Sequence, residues 1–214
     1  MDNVTMRPVK EGDLSALKML IAQAFGKGWN LSQFDQNADY YNALLEIYLS
    51  IFLDGSTFGK VAVVNGEVVG VVLCSAKGQV KKFRRLQKDM AVHTFALLSA
   101  PEPARTDITE HMSTSFAAIG QLLENKIDSY QGSLELLIVS HKAQGLGLGK
   151  ALWGKACGYF ASKGVQSIYL YTDSSCNVGF YDYNGFARVS QGHARYNFTQ
   201  GQQERDIYLY EYRL

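Results

Sequence analysis

The sequence predicts a mixed α/β (α+β) unit: a central, mostly antiparallel sheet flanked by helices, with a helical insert between its third and fourth strands. Three observations carry this. Asn65-Gly66 separates two β-branched runs, the strongest short hairpin signal, because both turn positions need positive φ. Leu134 to Val139 is an apolar strand that leads through a glycine-rich loop into a helix and then another strand, a β-α-β crossover expected to be right-handed. Near the end, Tyr208, Tyr210 and Tyr212 alternate with Ile207 and Leu209, the period of a two-faced strand.

Taken in order, Val4 to Val9 reads as the first strand, closed by Pro8. Asp13 is placed to cap a helix whose Leu14, Leu17, Ile21 and Phe25 share one face, with Gly26 at its end. Leu44, Leu45, Tyr48 and Phe52 give a second helix over Tyr41 to Phe52. Lys60 to Val64 and Glu67 to Ser75 are the hairpin strands, and Leu134 to Val139 is the fourth strand. Lys150 to Lys163 reads as a helix ended by Gly164, followed by a strand over Gln166 to Thr172 and a short helical stretch from Val178 to Tyr183. Two last strands are expected over Phe186 to Ser190 and Arg205 to Leu214. The order is β-α-α-β-β, an insert, then β-α-β-α-β-β.

The insert spans residues 76–132. Lys81, Lys82, Arg84, Arg85 and Lys88 form a basic stripe, which reads as a solvated helix face, with a phosphate or nucleic-acid contact as the other reading. Pro101 and Pro103 mark a break. Asp107 and Glu110 then fit a capping pair ahead of Ile108, Met112, Phe116, Ile119, Leu123 and Ile127. No repeat and no linker divides residues 1–214, so a single domain is expected; a chain of 214 residues suits one well-buried core.

Composition narrows the class. Hydrophobic residues make up 47% and charged residues 19%, the profile of a folded globule. A net charge of +1 provides no global field for nucleic acid or acidic membrane, so neither is an expected partner. Met1 to Glu11 lacks the apolar stretch of a signal peptide, and the longest apolar runs are too short to span a bilayer. Cys74, Cys157 and Cys176 are scattered, odd in number and without CxxC spacing, which argues for free thiols and no metal. A cytoplasmic protein is the default expectation.

The chemistry concentrates at Gln144-Gly145-Leu146-Gly147-Leu148-Gly149-Lys150, between a strand and a helix. Alternating glycines let several N–H groups converge, and a helix N-terminus adds about half a positive charge, so a phosphate or pyrophosphate is the natural guest. The bland reading is a tight strand-to-helix turn. A Walker loop would need Gly where Gln144 stands and Ser or Thr where Ala151 stands. A dinucleotide fingerprint has Gly145 and Gly147, but its third glycine falls on Lys150. Asp173 could imitate the ribose-binding acid, yet about 40 residues remain beyond it, too few for the rest of a doubly wound sheet.

The stretch Leu134 to Lys150 resembles the acetyl-CoA-binding motif of the GNAT superfamily of N-acetyltransferases: Gln or Arg, two residues, Gly, one residue, Gly or Ala. Gln144, Gly147 and Gly149 match it; His141 stands where that family often has proline. Asn177, Phe180-Tyr181 and Gly185-Phe186 resemble the family's next motif, with Gly179 where Ala is commoner. The resemblance implies the GNAT fold and acetyl transfer from acetyl-CoA, as co-substrate and without a metal, to an amine by direct transfer in a ternary complex. A homodimer is also possible in that family. The alternative is an acyl-CoA-binding regulatory module of the same fold that has lost turnover.

The same resemblance implies site residues. Leu137, Ile138, Val139, Gln144, Gly145, Leu146, Gly147, Leu148, Gly149, Lys150 and Asn177 would hold acetyl-CoA. Tyr181 would protonate the leaving thiolate, and a phenol with pKa about 10 carries the needed proton at neutral pH. The N–H of Val139 would serve the oxyanion. Glu135 is the first choice of base, because a two-residue period places Glu135, Leu137 and Val139 on one side of the strand. His141 is the fallback, and Ser140, Thr172 and Ser174 could orient water. The insert lies where the family often shapes its acceptor pocket, and its aromatic residues suggest a partly apolar site.

Overall fold

A computed structural model describes residues 4–26, 34–83 and 90–214. Among these, seven strands form one sheet in the order β1-β2-β3-β4-β5-β7-β6. The strands are β1 (Val4–Pro8), β2 (Phe58–Val64), β3 (Glu67–Ala76), β4 (Gly132–Val139), β5 (Ser167–Asp173), β6 (Ala187–Phe198) and β7 (Gly201–Arg213). The helices are α1 (Leu14–Phe25), α2 (Asp39–Gly55), α3 (Met90–Leu98), α4 (Ala104–Leu123), α5 (Leu148–Ser162) and α6 (Gly179–Tyr183). Only β4 and β5 pair in parallel; every other neighbouring pair is antiparallel. The predicted mixed, mostly antiparallel sheet is therefore present.

The hairpin forms as expected, with Asn65 at φ 51° and Gly66 at φ 87°. The alternating strands bury two different faces. Val71, Leu73, Leu136 and Ile138 pack with α1 and α2 in one core, while Val72, Cys74 and Leu134 pack with Leu152, Ala156 and Phe160 of α5 in another. Helix α2 is buried almost all round, and its Glu46 is tolerated there because Lys18 lies 2.7 Å away. The tyrosine alternation of the last strand also holds: Tyr208 and Tyr210 lie on the α5 side, Ile207 and Leu209 in a third cluster with Leu122 of α4.

Several expectations are corrected. Asp13 stands at the start of α1 but does not cap it; its carboxylate accepts two hydrogen bonds from Arg7, each at 2.7 Å, and one from the Lys10 N–H, which caps the short 3-10 turn before α1. The guanidinium outcompetes the cap, since a bidentate ion pair is the stronger bond. Asp107 and Glu110 do not start a helix, because α4 already runs from Ala104. Asp107 instead accepts from the Thr199 N–H (2.7 Å) and hydroxyl (2.9 Å), and Glu110 from the Asn197 N–H (2.7 Å), which ties α4 to β6 and its turn. Strand β6 runs on to Phe198, well past the expected Ser190, and β7 starts at Gly201, ahead of the expected Arg205. The part of β6 beyond Ser190 lies on the sheet edge and alternates buried Ala194, Tyr196 and Phe198 with exposed polar residues, and Gly192 and those polar residues weaken its strand signal. Helix α3 lies within the expected helical insert, at residues where the sequence pattern marks no particular helix. Of the basic stripe, Lys81 pairs with Asp54 (3.2 Å), while Arg84, Arg85 and Lys88 lie outside the described residues.

Candidate active site

The parallel contact of β4 with β5 stops after two residue pairs, Gly132↔Ile168 and Ser133↔Tyr169. Beyond them β4 stays paired to β3 as far as Val139, so its other edge has no strand partner. The Ser140 N–H donates to Val69 on the β3 side at 2.7 Å. Backbone N–H groups alternate direction along a strand, so the N–H of Val139 faces the open edge. Between the splayed strands lies a cleft of about 990 Å³.

One end of the cleft is bounded by the glycine loop. Gly145 and Gly147 take φ of 81° and 69°, and Gly147 is the residue from which α5 starts. The N–H groups of residues 145 to 150 have no hydrogen-bond acceptor among the described residues; the first helical bond is from Ala151 to the Gly147 carbonyl. Converging unpaired N–H groups at a helix start form an anion cradle. Gln144, Gly145, Gly147, Leu148, Gly149 and Lys150 all line the cleft, as do Leu137, Ile138 and Val139. Leu146 does not; its side chain turns outward and is 48% exposed. Ile138 contributes to the wall but buries its side chain in the α1–α2 core.

Across from the loop, Tyr181 and Asn177 line the same cleft, Asn177 at the entry to α6. The Tyr181 ring packs among Phe180, Phe186 and Tyr210. Its hydroxyl makes no hydrogen bond to a described residue, and burial pushes its pKa well above that of a free phenol, so it stays protonated.

Glu135 also lines the cleft, but from a different side than the two-residue period predicts. The register of β3 against β4 shifts between Leu73↔Leu136 and Cys74↔Leu134, which leaves Glu135 as the extra residue of a β-bulge. The bulge breaks the alternation. Leu137 and Val139 pack on the α5 side, whereas the Glu135 carboxyl lies against Gly55 at the end of α2, where any Cβ would come within 2.9 Å of it. Its carboxylate accepts a hydrogen bond from the Ser133 hydroxyl. Burial raises its pKa, opposed by Ser133 and Lys81. A carboxylate with a raised pKa is a better proton acceptor than an ordinary one.

His141 is exposed, with Nδ1 accepting from the Gln144 side-chain amide at 3.0 Å. Thr172 lines the cleft; Ser140 and Ser174 do not. The Ser140 hydroxyl donates to Gln23 (3.2 Å), and the Ser174 hydroxyl accepts from the Asp206 N–H (3.3 Å), so both are committed to structure.

Sequence reasoning did not foresee the far half of the cleft as a set of side chains. There the Tyr48 hydroxyl meets His111 Nδ1 at 3.0 Å, and the Ser115 and Tyr196 hydroxyls lie 3.1 Å apart. Burial and nearby Arg205 push the His111 pKa down to about 3, so the imidazole is neutral. Phe116 and Ile119 had been recognised only as a helix stripe. A polar His-x-x-x-Ser step, His111 to Ser115, on that otherwise apolar face was the available signal.

A family model described as the Acetyltransferase (GNAT) family matches residues 108–186, which holds both motifs and most of α4. No curated protein sequence is a significant match. Among solved structures, the chain is similar to arylalkylamine N-acetyltransferase 2 from Aedes aegypti, with TM-score 0.59 and 14% identity over 99% of both chains. It is similar to the ribosomal-protein-S18-alanine N-acetyltransferase from Escherichia coli, with TM-score 0.53 and 14% identity over 98% of this chain and 93% of that one. An acetyltransferase of the GNAT family from Streptococcus pneumoniae gives TM-score 0.52 and 15% identity over 99% and 100%. At such identities the likeness speaks for the fold.

Proposed function

We propose, from the match of the Acetyltransferase (GNAT) family model to residues 108–186, that this chain moves the acetyl group of acetyl-CoA directly to a primary amine. The observation that carries the reading is the cleft itself: a splayed strand pair with an unpaired N–H edge, an anion cradle at one end, and a protonated tyrosine and a buried carboxylate both in its lining.

The residues divide the work. The N–H groups of Gly145 to Lys150 would take the pyrophosphate, and the free edge of β4, with Asn177, would hold the pantetheine arm. The amine nitrogen attacks the thioester carbonyl carbon, and its proton passes to Glu135, directly or through water. The N–H of Val139 donates to the oxygen that gains charge. When the C–S bond breaks, the thiolate takes the proton of Tyr181. Glu135 now lies on the α2 face, so it meets an amine arriving from the α2–α4 side, and the thioester would lie between it and Tyr181. That geometry supports Glu135 over the exposed His141 as base.

The test is release of free thiol from acetyl-CoA in a mixed-amine screen, beside calorimetric binding of CoA. Amine-dependent thiol release is the expected result. Tight CoA binding with no thiol release from any amine would favour a regulatory module, and no CoA binding would remove the reading.

A further inference from the structure

The reading above leaves the acceptor open, and the inference here rests on it. The half of the cleft away from the glycine loop is walled by α1, α2 and α4 and floored by β5 to β7. Its surface is aromatic and aliphatic. The rings of Phe25 and Phe52 stack 6.3 Å apart, and Ile51, Phe116 and Ile119 continue the wall. Polar groups interrupt it: Gln23, which accepts from the Ser140 hydroxyl, Thr172, and the pairs Tyr48 with His111 and Ser115 with Tyr196, each pair spending hydrogen-bonding capacity on itself. Among the described residues of this half, none is Lys or Arg. The Arg205 guanidinium lies 4.4 Å over the Tyr196 ring and does not line the cleft. Two carboxylates line the cleft: Asp173, whose Oδ1 accepts from the Ser175 N–H and hydroxyl, and Glu135, turned to the α2 side by the bulge.

A pocket of this make-up discriminates by charge. An ammonium finds Glu135, and an apolar body finds rings and branched chains to bury against. A carboxylate on the acceptor would be desolvated beside Glu135 with no cation among the described lining residues of this half to answer it, and a second ammonium would have to draw on Asp173, whose Oδ1 already accepts from Ser175. We propose that the acceptor is a hydrophobic monoamine: one primary amine on an apolar body of aromatic size, without a carboxylate and without a second charge. Its nitrogen lies toward Glu135, and its body packs against Phe52 and Phe116.

The experiment compares thiol release from acetyl-CoA with four acceptors: 2-phenylethylamine, phenylalanine (the same body with a carboxylate), putrescine (two ammonium groups) and a peptide with a free N-terminal alanine. The expected result is a kcat/KM for 2-phenylethylamine at least about tenfold above each of the others, since unpaired buried charge is strongly rejected. A second arm uses Phe116→Ser. Phe116 is 45% exposed, so the fold should tolerate the change. The variant should raise KM for 2-phenylethylamine several-fold, with kcat and the Kd for CoA little changed, as for loss of uniform binding. Preference for phenylalanine, putrescine or the peptide would overturn the inference while leaving acetyl transfer standing. So would turnover of none of the four with CoA bound normally. Failure to bind CoA would instead take down the reading on which it rests.

Discussion

The two ends of the cleft are made of different material. The end at α5 is backbone: glycines at positive φ, unpaired N–H groups and a strand edge left free by the splay of β4 from β5. The end at α2 and α4 is side chains, gathered from Tyr48, His111, Ser115 and Tyr196 across most of the chain. A site made of backbone needs particular residues in sequence, because only glycine gives the turn and only a helix start gives the donors. A site made of side chains needs only that distant positions meet in space. The first therefore serves a ligand common to many proteins, and the second can change its ligand with few substitutions.

The largest expected effect lies where the two ends meet. Tyr181→Phe keeps the ring among Phe180, Phe186 and Tyr210 but removes the proton donor. Turnover should fall by roughly 10²–10⁴ with CoA affinity little changed. A fall of less than about threefold would make Tyr181 structural.

Next comes the base. Glu135→Gln should cut turnover and abolish the acidic limb of its pH profile, while His141→Gln should be nearly silent. That limb should lie above the ordinary glutamate range, because burial raises the Glu135 pKa. The sign for stability follows. The folded state holds its proton to higher pH than the unfolded chain, so this group's contribution falls as pH rises from the unfolded to the folded pKa. Thermal melts of Glu135→Gln should lack that fall.

Two smaller effects separate the halves. Asp107→Ala leaves the Thr199 N–H and hydroxyl without their acceptor and loosens α4 from the β6–β7 turn. It should cost about 1–3 kcal/mol in chemical denaturation and raise the acceptor KM more than the CoA Kd. His111, buried neutral, has a folded pKa depressed to about 3. The unfolded state binds more protons below the ordinary histidine pKa of about 6.5, so stability should fall with acid from there toward pH 3, at most about 1.4 kcal/mol per pH unit. His111→Phe should flatten that slope without touching CoA binding.

The same division explains what could be read before any coordinates. The hairpin at Asn65-Gly66, the glycine loop and the strand-loop-helix around it are local, and these elements form where the sequence places them. The bulge at Glu135 is not local. It exists because β3 and β4 pair with a one-residue slip, and the sequence of β4 alone reads as simple alternation. Asp107 and Glu110 look like a capping pair to any local rule, yet their partners lie 92 and 87 residues away in the chain. Likewise, Tyr48 and His111 belong to helices whose apolar spacing was plain, but nothing in either segment announces the other.

The central claim is that the backbone of the glycine loop binds the pyrophosphate of CoA. Its most direct test is calorimetric titration of CoA into the wild type and into Gly147→Asp. Aspartate tolerates the left-handed conformation that Gly147 adopts at φ 69°, so the variant should still fold. It places a negative charge where the phosphates would sit, and a like-charge contact costs several kcal/mol. The account predicts a Kd raised by about 10² or more, with a thermal melt that stays cooperative; an unchanged Kd in a folded variant would contradict it.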